Sequence, residues 1–265
     1  NGVNTTSDIF PETLVEVNPT TNQIVWKWNS FDHIVQDFNT NNLNYGIVNE
    51  NPQLIDINYN GSANGGDIMH ANGIDYDETN DIIYLSVNNY SEIWVIDHST
   101  TTTEAASNSG GNYNKGGDLI YRFGNPEAYN NIGNRLFYNN HFPNLIEKNV
   151  PGKDNMLVFV NSYNQLEQSA VFELDLPETF NLLPNTNNEP DIVWEFTAPT
   201  MYSRIISGAV RLKNGNTLIC EGSYGFWEIT EDGTIAWKYN SQNTNIWRGY
   251  NYNLDDVELT FLDLN

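Results

Sequence analysis

The sequence predicts an all-β fold, a β-propeller built from four-stranded antiparallel blades, of which this chain holds about three and a half. Three observations lead to this prediction. Helical periodicity is almost absent, and short runs of β-branched and aromatic residues bounded by Asn, Gly, Asp and Pro recur along the chain. One hairpin pattern, in which the second strand ends aromatic–charged–aromatic, occurs four times. Strands grouped in fours and repeating every several dozen residues are typical of propeller blades.

The first hairpin, Leu14–Trp28, follows no other predicted strands, so it predicts the outer half of a blade over residues 12–29. Each of the three later hairpins follows a further pair of predicted strands and therefore completes a blade. The three predicted blades span about residues 68–124, 139–197 and 203–240. In the last blade the inner pair is joined by Asn214-Gly215, a dipeptide that accepts the positive φ of a tight hairpin turn.

These segments predict that residues 1–265 form the C-terminal portion of a single propeller domain, with a tail at residues 241–265. The run Val257–Leu262 in this tail is interpreted as one closing strand. Because a propeller needs roughly four to eight blades to close its ring, we expect an upstream segment or another chain to supply the missing blades. An open β-sandwich is the alternative architecture.

The composition argues against two kinds of partner. Asp and Glu outnumber Lys and Arg by 34 to 11, which gives a formal net charge of −23. Nucleic acid would repel such a chain, so we expect no nucleic-acid partner. No apolar segment approaches the ~20 residues of a membrane helix, so no membrane insertion is expected. The N-terminal residues 1–6 lack the basic and apolar parts of a signal peptide, so a secreted protein would carry its signal upstream.

Two long polar excursions interrupt the repeat, at residues 30–67 and 100–117. Loops of this length in a compact domain are usually functional lids or disordered segments. Their lengths fit elaborated connections over one face of the propeller.

Only four histidines occur, and two of them share one position of the repeat. His70 and His141 each lie just ahead of the first strand of consecutive blades. Since first strands line the central channel, both imidazoles are expected at its mouth. His33 leaves the half blade and could turn inward, whereas His98 ends a third strand and is expected to have a structural role in an outer turn.

Other kinds of site have little support in the sequence. No His-x-His or His-Glu-x-x-His pattern is present, so we expect no metal. No glycine-rich phosphate loop leads from a strand into a helix, so we expect no nucleotide and no other cofactor. The single Cys220 lies in an apolar run and is interpreted as a buried hydrophobic residue. A glycosidase with paired carboxylates stays open, because the acidic residues are numerous but scattered.

Seven segments carry a resemblance to a known family. They are Asp32–Asp37, Asn44–Gly46, Asn51–Asn58, His70–Tyr76, Ser91–Thr100, Gly116–Pro126 and Ile206–Gly222. In these segments and in their order, the chain resembles the bacterial arylsulfate sulfotransferases over about residues 12–252. The resemblance implies a six-bladed propeller that is secreted, periplasmic or at the cell surface.

For this family the resemblance implies transfer of a sulfuryl group from a small aryl sulfate donor to a phenolic acceptor, without a nucleotide donor. The implied intermediate is a transient sulfohistidine, and the histidine that forms it falls on His141. His70, Asn72 and His33 fall on further residues of the site. An imidazole is nucleophilic when it is neutral, and fixed donors must hold the charge of the sulfate oxygens during displacement.

Two positions depart from the family pattern. The arginine that family members carry after Leu-Ser is Asn88 here, and the acidic residue after the nucleophile is Phe142. Arg204 lies near the same channel mouth in the repeat, and we expect it to substitute as the substrate-binding cation. The alternative function is that of a catalytically inactive or weakened member that serves as a secreted or cell-surface binding or assembly module.

Overall fold

A computed structural model describes residues 2–5, 8–60, 64–242 and 245–252. Within these residues the chain forms three four-stranded antiparallel sheets, one antiparallel hairpin and one pair of short parallel strands. The all-β class and the four-stranded antiparallel sheets predicted from the repeat are therefore confirmed. No helix in the described part is long and apolar enough to cross a membrane. The predicted closing strand Val257–Leu262 lies outside the described residues.

The strands follow one another in sequence order within each sheet. The hairpin consists of β1 (Thr13–Val17) and β2 (Ile24–Asn29), and the parallel pair of β3 (Ile34–Val35) and β4 (Ile55–Asp56). The first sheet contains β5 (Ala71–Asp77), β6 (Ile82–Val87), β7 (Glu92–Asp97) and β8 (Tyr121–Phe123). The second contains β9 (Asn140–Leu145), β10 (Met156–Val160), β11 (Ala170–Asp175) and β12 (Asp191–Thr197). The third contains β13 (Gly208–Arg211), β14 (Thr217–Glu221), β15 (Gly225–Ile229) and β16 (Ile235–Asn240).

Helical structure is confined to short segments. The one α-helix of the described residues is α1 (Thr102–Ala105), which a capping box between Thr101 and Glu104 begins. The 3₁₀ turns are Ser30–His33, Val48–Glu50, Asn64–Gly66, Pro126–Tyr129 and Tyr163–Gln165.

The first strands of the three four-stranded sheets, β5, β9 and β13, are their inner strands, and they lie next to one another. Strand β9 contacts both β5 and β13. Two glycines allow this approach: a Cβ atom on Gly73 would lie 2.9 Å from the Pro143 ring, and one on Gly208 would lie 2.3 Å from the Phe142 ring. The starts of the three inner strands therefore lie side by side, which is where the sequence places its candidate histidines.

The two central strands of the first sheet are buried on both faces. Every residue of β6 and β7 is buried. Because neither face meets solvent, the sequences of these strands are mostly apolar and do not alternate between apolar and polar residues. Two fully buried side chains of opposite charge, Arg122 and Glu92, form an ion pair in the first sheet, with the Arg122 guanidinium 4.4 Å over the ring of Tyr129. Arg122 also donates to the carbonyl oxygen of Leu54 at 2.9 Å, which fastens the first excursion to the sheet.

The described parts of the two long excursions pack against the sheets. Val48, Ile55 and Ile57 of the first excursion are buried in the main core. Trp28, at the end of the hairpin, donates its indole N–H to the carbonyl oxygen of Gly117 in the second excursion at 2.8 Å. Both excursions thereby become part of the scaffold.

One face of the third sheet is uncovered. A second core packs the other face against the second sheet. On the open face Trp237 and Tyr239 of β16 stack with centroids 6.0 Å apart, and they are 47% and 50% exposed. Within the described residues no sheet covers these rings.

Candidate functional site

His141 is the second residue of β9 and is buried. Its Nδ1 atom lies 2.6 Å from Oδ1 of Asn161. The amide nitrogen of Asn161 donates to the carbonyl oxygens of Ser203 and Ile206, at 2.8 and 3.1 Å. Because these two carbonyls can only accept, the Asn161 oxygen faces His141, and Nδ1 of His141 carries the proton. The lone pair of the imidazole is therefore on Nε2.

This Nε2 lone pair faces the segment that begins the third sheet, where it accepts the backbone N–H of Ile206 at 3.2 Å. Burial is the main cause that lowers the pKa of His141 to about 4, and the nearby Arg248 and His70 act in the same direction. The hydrogen bond to Asn161 opposes this shift. The imidazole is neutral at pH 7, which is the state a nucleophile requires.

His70 immediately precedes β5 and has an exposed side chain. Its Nδ1 atom lies 2.5 Å from Oδ2 of Asp67, and its Nε2 atom has no hydrogen bond to any described residue. The backbone φ of His70 is 54°, in the left-handed region, and its carbonyl accepts the N–H of Asn88 at 3.2 Å. Since His70 contributes to the pKa of His141, the two imidazoles from adjacent sheets share one electrostatic neighbourhood.

Three side chains hold the carbonyl oxygen of Asn140, the residue before His141. Asn72 and Asn88 donate their amides to it at 2.9 and 3.1 Å, and Ser86 donates its hydroxyl at 3.3 Å. The Oδ1 atom of Asn72 is buried and has no partner among the described residues. Asn72 and Asn88 thus lie in the site and fix the backbone on which His141 is carried.

His33 has different surroundings. Its ring is 1% exposed and stacks in parallel on Trp28, with centroids 5.7 Å apart. Nδ1 lies 2.8 Å from Oδ1 of Asp118, and Nε2 lies 2.8 Å from the carbonyl oxygen of Ala105. Both nitrogens therefore bind residues within or directly after the second excursion, and no contact among the described residues links His33 to His70 or His141.

Arg204 is exposed, and its side chain makes no hydrogen bond or ion pair with the described residues. It follows Ser203 and precedes Ile206 by two residues. The carbonyls of Ser203 and Ile206 both bind Asn161, so Arg204 belongs to the segment that packs beside His141.

Arg248 is a residue of this site that the sequence analysis missed. Its Nη2 atom donates to the carbonyl oxygen of Asn72 at 2.7 Å, and its guanidinium lies 4.4 Å over the ring of Phe142. Tyr250 packs edge-on against the same ring, with centroids 5.9 Å apart. Arg248 follows the last predicted blade and belongs to no repeat or motif. Its one signal in the sequence is an arginine between aromatic residues in a strongly acidic chain.

No cluster of three His, Cys, Asp or Glu side chains suited to a metal ion occurs in the part of the chain that the structure describes. Cys220 is buried as predicted, and burial raises the pKa of its thiol to about 12.

A family model named Arylsulfotransferase (ASST) matches residues 1–256. The chain belongs to the arylsulfotransferase family. The resemblance read from the motifs is thereby confirmed. A search of the curated proteins finds no significant match.

Among solved structures, this chain is similar to a protein of unknown function from Bacteroides caccae, with 12% sequence identity and a TM-score of 0.48. The match covers 90% of this chain and 63% of the other, so this chain spans less than two thirds of that protein.

Asn88 and His141, which the sequence resemblance picks out, are linked through Asn140: the Asn88 amide binds the carbonyl oxygen of the residue that precedes His141. The site combines a neutral imidazole nitrogen, a backbone N–H beside it, a second imidazole and a guanidinium. These groups suit attack on an anionic, electrophilic centre that is surrounded by oxygen atoms.

Proposed function

We propose that the complete protein transfers a sulfuryl group from an aryl sulfate to a phenolic acceptor, with His141 as the nucleophile. The observation that carries this proposal is the neutral imidazole of His141, whose proton on Nδ1 leaves the lone pair on Nε2. The family match supports the class of reaction.

In the first step the Nε2 lone pair of His141 forms a bond to sulfur, and the bond between sulfur and the aryl oxygen breaks. The phenolate leaves with the electron pair of that bond, and a sulfohistidine remains. The ring gains positive charge as the bond forms, and the Nδ1–H donated to Asn161 disperses part of that charge.

In the second step the oxygen of the acceptor phenol attacks sulfur, and the nitrogen–sulfur bond breaks with its electron pair returning to His141. The phenolic proton passes to Nε2 of His70, which the contact between Nδ1 and Asp67 orients. In the next turnover His70 gives this proton to the departing phenolate, so each cycle consumes one aryl sulfate and one phenol and forms one of each.

The charge on the sulfuryl oxygens needs donors near Nε2. The N–H of Ile206 is already there, and we assign it to a sulfuryl oxygen once the donor occupies the site. Arg204 attracts the anionic donor from solvent. Asn72 positions His141 through the Asn140 carbonyl, and His33 acts from a distance by holding the two excursions together.

For the architecture we propose a six-bladed propeller, with an outer half blade at residues 12–29 and blades at 68–124, 139–197 and 203–240. The uncovered rings of Trp237 and Tyr239 support this arrangement, because a further blade would bury them. An upstream segment or another chain completes the ring in this proposal. A secreted, periplasmic or cell-surface location follows from the family resemblance.

A catalytically inactive binding or assembly module is the second candidate function. Two observations favour it: the Ile206 N–H occupies the lone pair of His141, and Asn88 replaces the family arginine. In this case the hub would bind an anion without transferring it.

The test is turnover of an aryl sulfate and a phenol by the complete protein and by His141→Ala. We expect the variant to lose activity by a factor on the order of 10³ or more, because alanine removes the group that forms the covalent intermediate in this proposal. Mass spectrometry of the protein quenched with donor alone should place one sulfuryl group on His141.

The matched control is His98→Asn. His98 binds Asp81 at 2.7 Å on the outer side of the first sheet, so its loss should leave turnover unchanged in the folded protein. Equal turnover by the wild type and His141→Ala would remove His141 from the reaction. A folded wild type with neither turnover nor a modified histidine would support the binding module.

A further inference from the structure

Arg248 is a half-buried guanidinium that has no carboxylate partner among the described residues. Three other arginines, Arg122, Arg135 and Arg211, each pair with a glutamate. Asp and Glu exceed Lys and Arg by 34 to 11 in this chain, yet no acidic side chain of the described residues lies in ion-pair distance of Arg248. A cation that no described carboxylate neutralises has its charge available to an external anion.

The chain is fastened on the side of the third sheet before it delivers Arg248. The backbone N–H groups of Asn245 and Ile246 both donate to the carbonyl oxygen of Gly222, at 2.7 and 3.0 Å. Gly249 lies against the ring of Phe226, where a Cβ atom would come within 2.6 Å. Residues 245–252 therefore pass from the third sheet to the start of the first sheet, where the guanidinium reaches Asn72.

Arg248 is linked through Asn72 to Asn88, the position of the missing cation. Its hydrogen bond goes to the carbonyl of Asn72, whose side chain shares the Asn140 carbonyl with Asn88. The Arg248 guanidinium uses one N–H group in this bond. Its other N–H groups donate no hydrogen bond to the described residues. The guanidinium thus binds the backbone of a residue whose side chain shares an acceptor with Asn88, and its other donors bind none of the described residues.

We propose that Arg248 binds the sulfuryl oxygens of the donor and so replaces, from the segment after the last sheet, the cation lost at Asn88. This inference rests on the proposed function for its substrate, an aryl sulfate, but the anion site itself does not. A guanidinium binds two oxygens of a sulfate group with parallel N–H donors. Phe142, at the position where the family has an acid, provides the apolar surface on which the guanidinium rests.

The experiment compares the complete wild-type protein with Arg248→Met, Arg248→Lys and the control Lys153→Met. Lys153 is an exposed cation in the turn between β9 and β10, at the other end of β9 from His141. Two readouts are taken: titration calorimetry with inorganic sulfate as the probe, and kcat and KM for an aryl sulfate.

We expect Arg248→Met to weaken sulfate binding by about 10- to 100-fold and to lower kcat/KM by about 100-fold, because a charge-assisted donor pair is lost. Arg248→Lys should recover part of the binding and less of kcat, since an ammonium cannot bind two oxygens in parallel. Lys153→Met should match the wild type in both readouts.

Sulfate binding and kcat/KM within twofold of the wild type in folded Arg248→Met would overturn the inference. If Arg248→Met does not fold, Arg248→Lys decides: an unchanged ratio of kcat to KM and unchanged sulfate binding would overturn it. Sulfate binding that depends on Arg248 in a wild type without turnover would support the anion site and count against the proposed reaction. Turnover that is insensitive to substitution of Arg248 would support the proposed reaction and count against the anion site at Arg248.

Discussion

Asn88 donates its side-chain amide to the carbonyl oxygen of Asn140 at 3.1 Å, one residue before His141. A neutral side chain thus holds the backbone beside His141, at the position where the sequence resemblance leads us to expect an arginine. In our proposal the positive charge of the site comes from another part of the chain.

This relationship predicts the effect of Asn88→Ala. The variant removes a buried hydrogen bond, so the free energy of unfolding should fall by about 1–3 kcal/mol. Because His141 loses one of its supports, kcat should fall more than KM rises. Denaturant unfolding and steady-state kinetics check the two parts.

Asn112→Ala is the control for this variant, since Asn112 is exposed in the second excursion. An Asn88→Ala protein with wild-type kcat and reduced stability would show that Asn88 supports the fold without positioning His141.

The lowered pKa of His141 predicts the acid limb of the pH profile. The pKa in the folded protein is about 4, below the usual 6.5, so the neutral nucleophile persists as the pH falls through 6.5. The rate of sulfohistidine formation should therefore decline only as the pH approaches 4. Single-turnover measurements with donor, made where the protein remains folded, check this prediction, and a half-maximal rate near pH 6.5 would contradict it.

A buried carboxyl group, Glu189, predicts a pH dependence of stability. Its Oε2 atom accepts the N–H of Gly124 at 2.5 Å, while its Oε1 atom is buried without a partner among the described residues. Burial raises its pKa from 4.5 to about 8, with a further rise from Glu92. The folded state thus prefers the neutral form of Glu189. The contribution of this preference to the free energy of unfolding is complete below pH 4.5 and is lost as the pH rises through 8.

Glu189→Gln should remove this dependence. The amide stays neutral, so the stability of the variant relative to the wild type should increase between pH 5 and pH 8 and then level off. Thermal melts across this range check the sign. A difference that does not change with pH would mean that Glu189 is ionised in the folded protein.

The strands were predictable because their signals are local. Runs such as Ile82–Val87 combine β-branched and aromatic residues between polar turns, and the repeat shows which hairpins belong together. The common position of His70 and His141 in the repeat also places both at the starts of neighbouring inner strands. Residues at the same position of neighbouring repeats lie close together in space even when they are far apart along the chain.

The rest of the site was not predictable from periodicity. Arg248 reaches Asn72 across 176 positions, and only the path of the chain after the last sheet brings them together. The Ile206 N–H on His141 depends on two consecutive residues, Ile206 and Ser207, with φ of 55° and 90°, which no local pattern of apolar residues indicates. His33 looked available in the sequence but is enclosed by two excursions whose packing is non-local.

The stacked Trp237 and Tyr239 have a consequence for how this stretch of chain behaves in solution. Copies of it repel one another through their net charge of −23, which opposes contact between these aromatic faces. Added salt shortens the range of that repulsion and leaves the attraction between the rings intact. Residues 1–265 alone should therefore be monodisperse in dilute buffer and self-associate as ionic strength rises, the reverse of what an ionic interface would do.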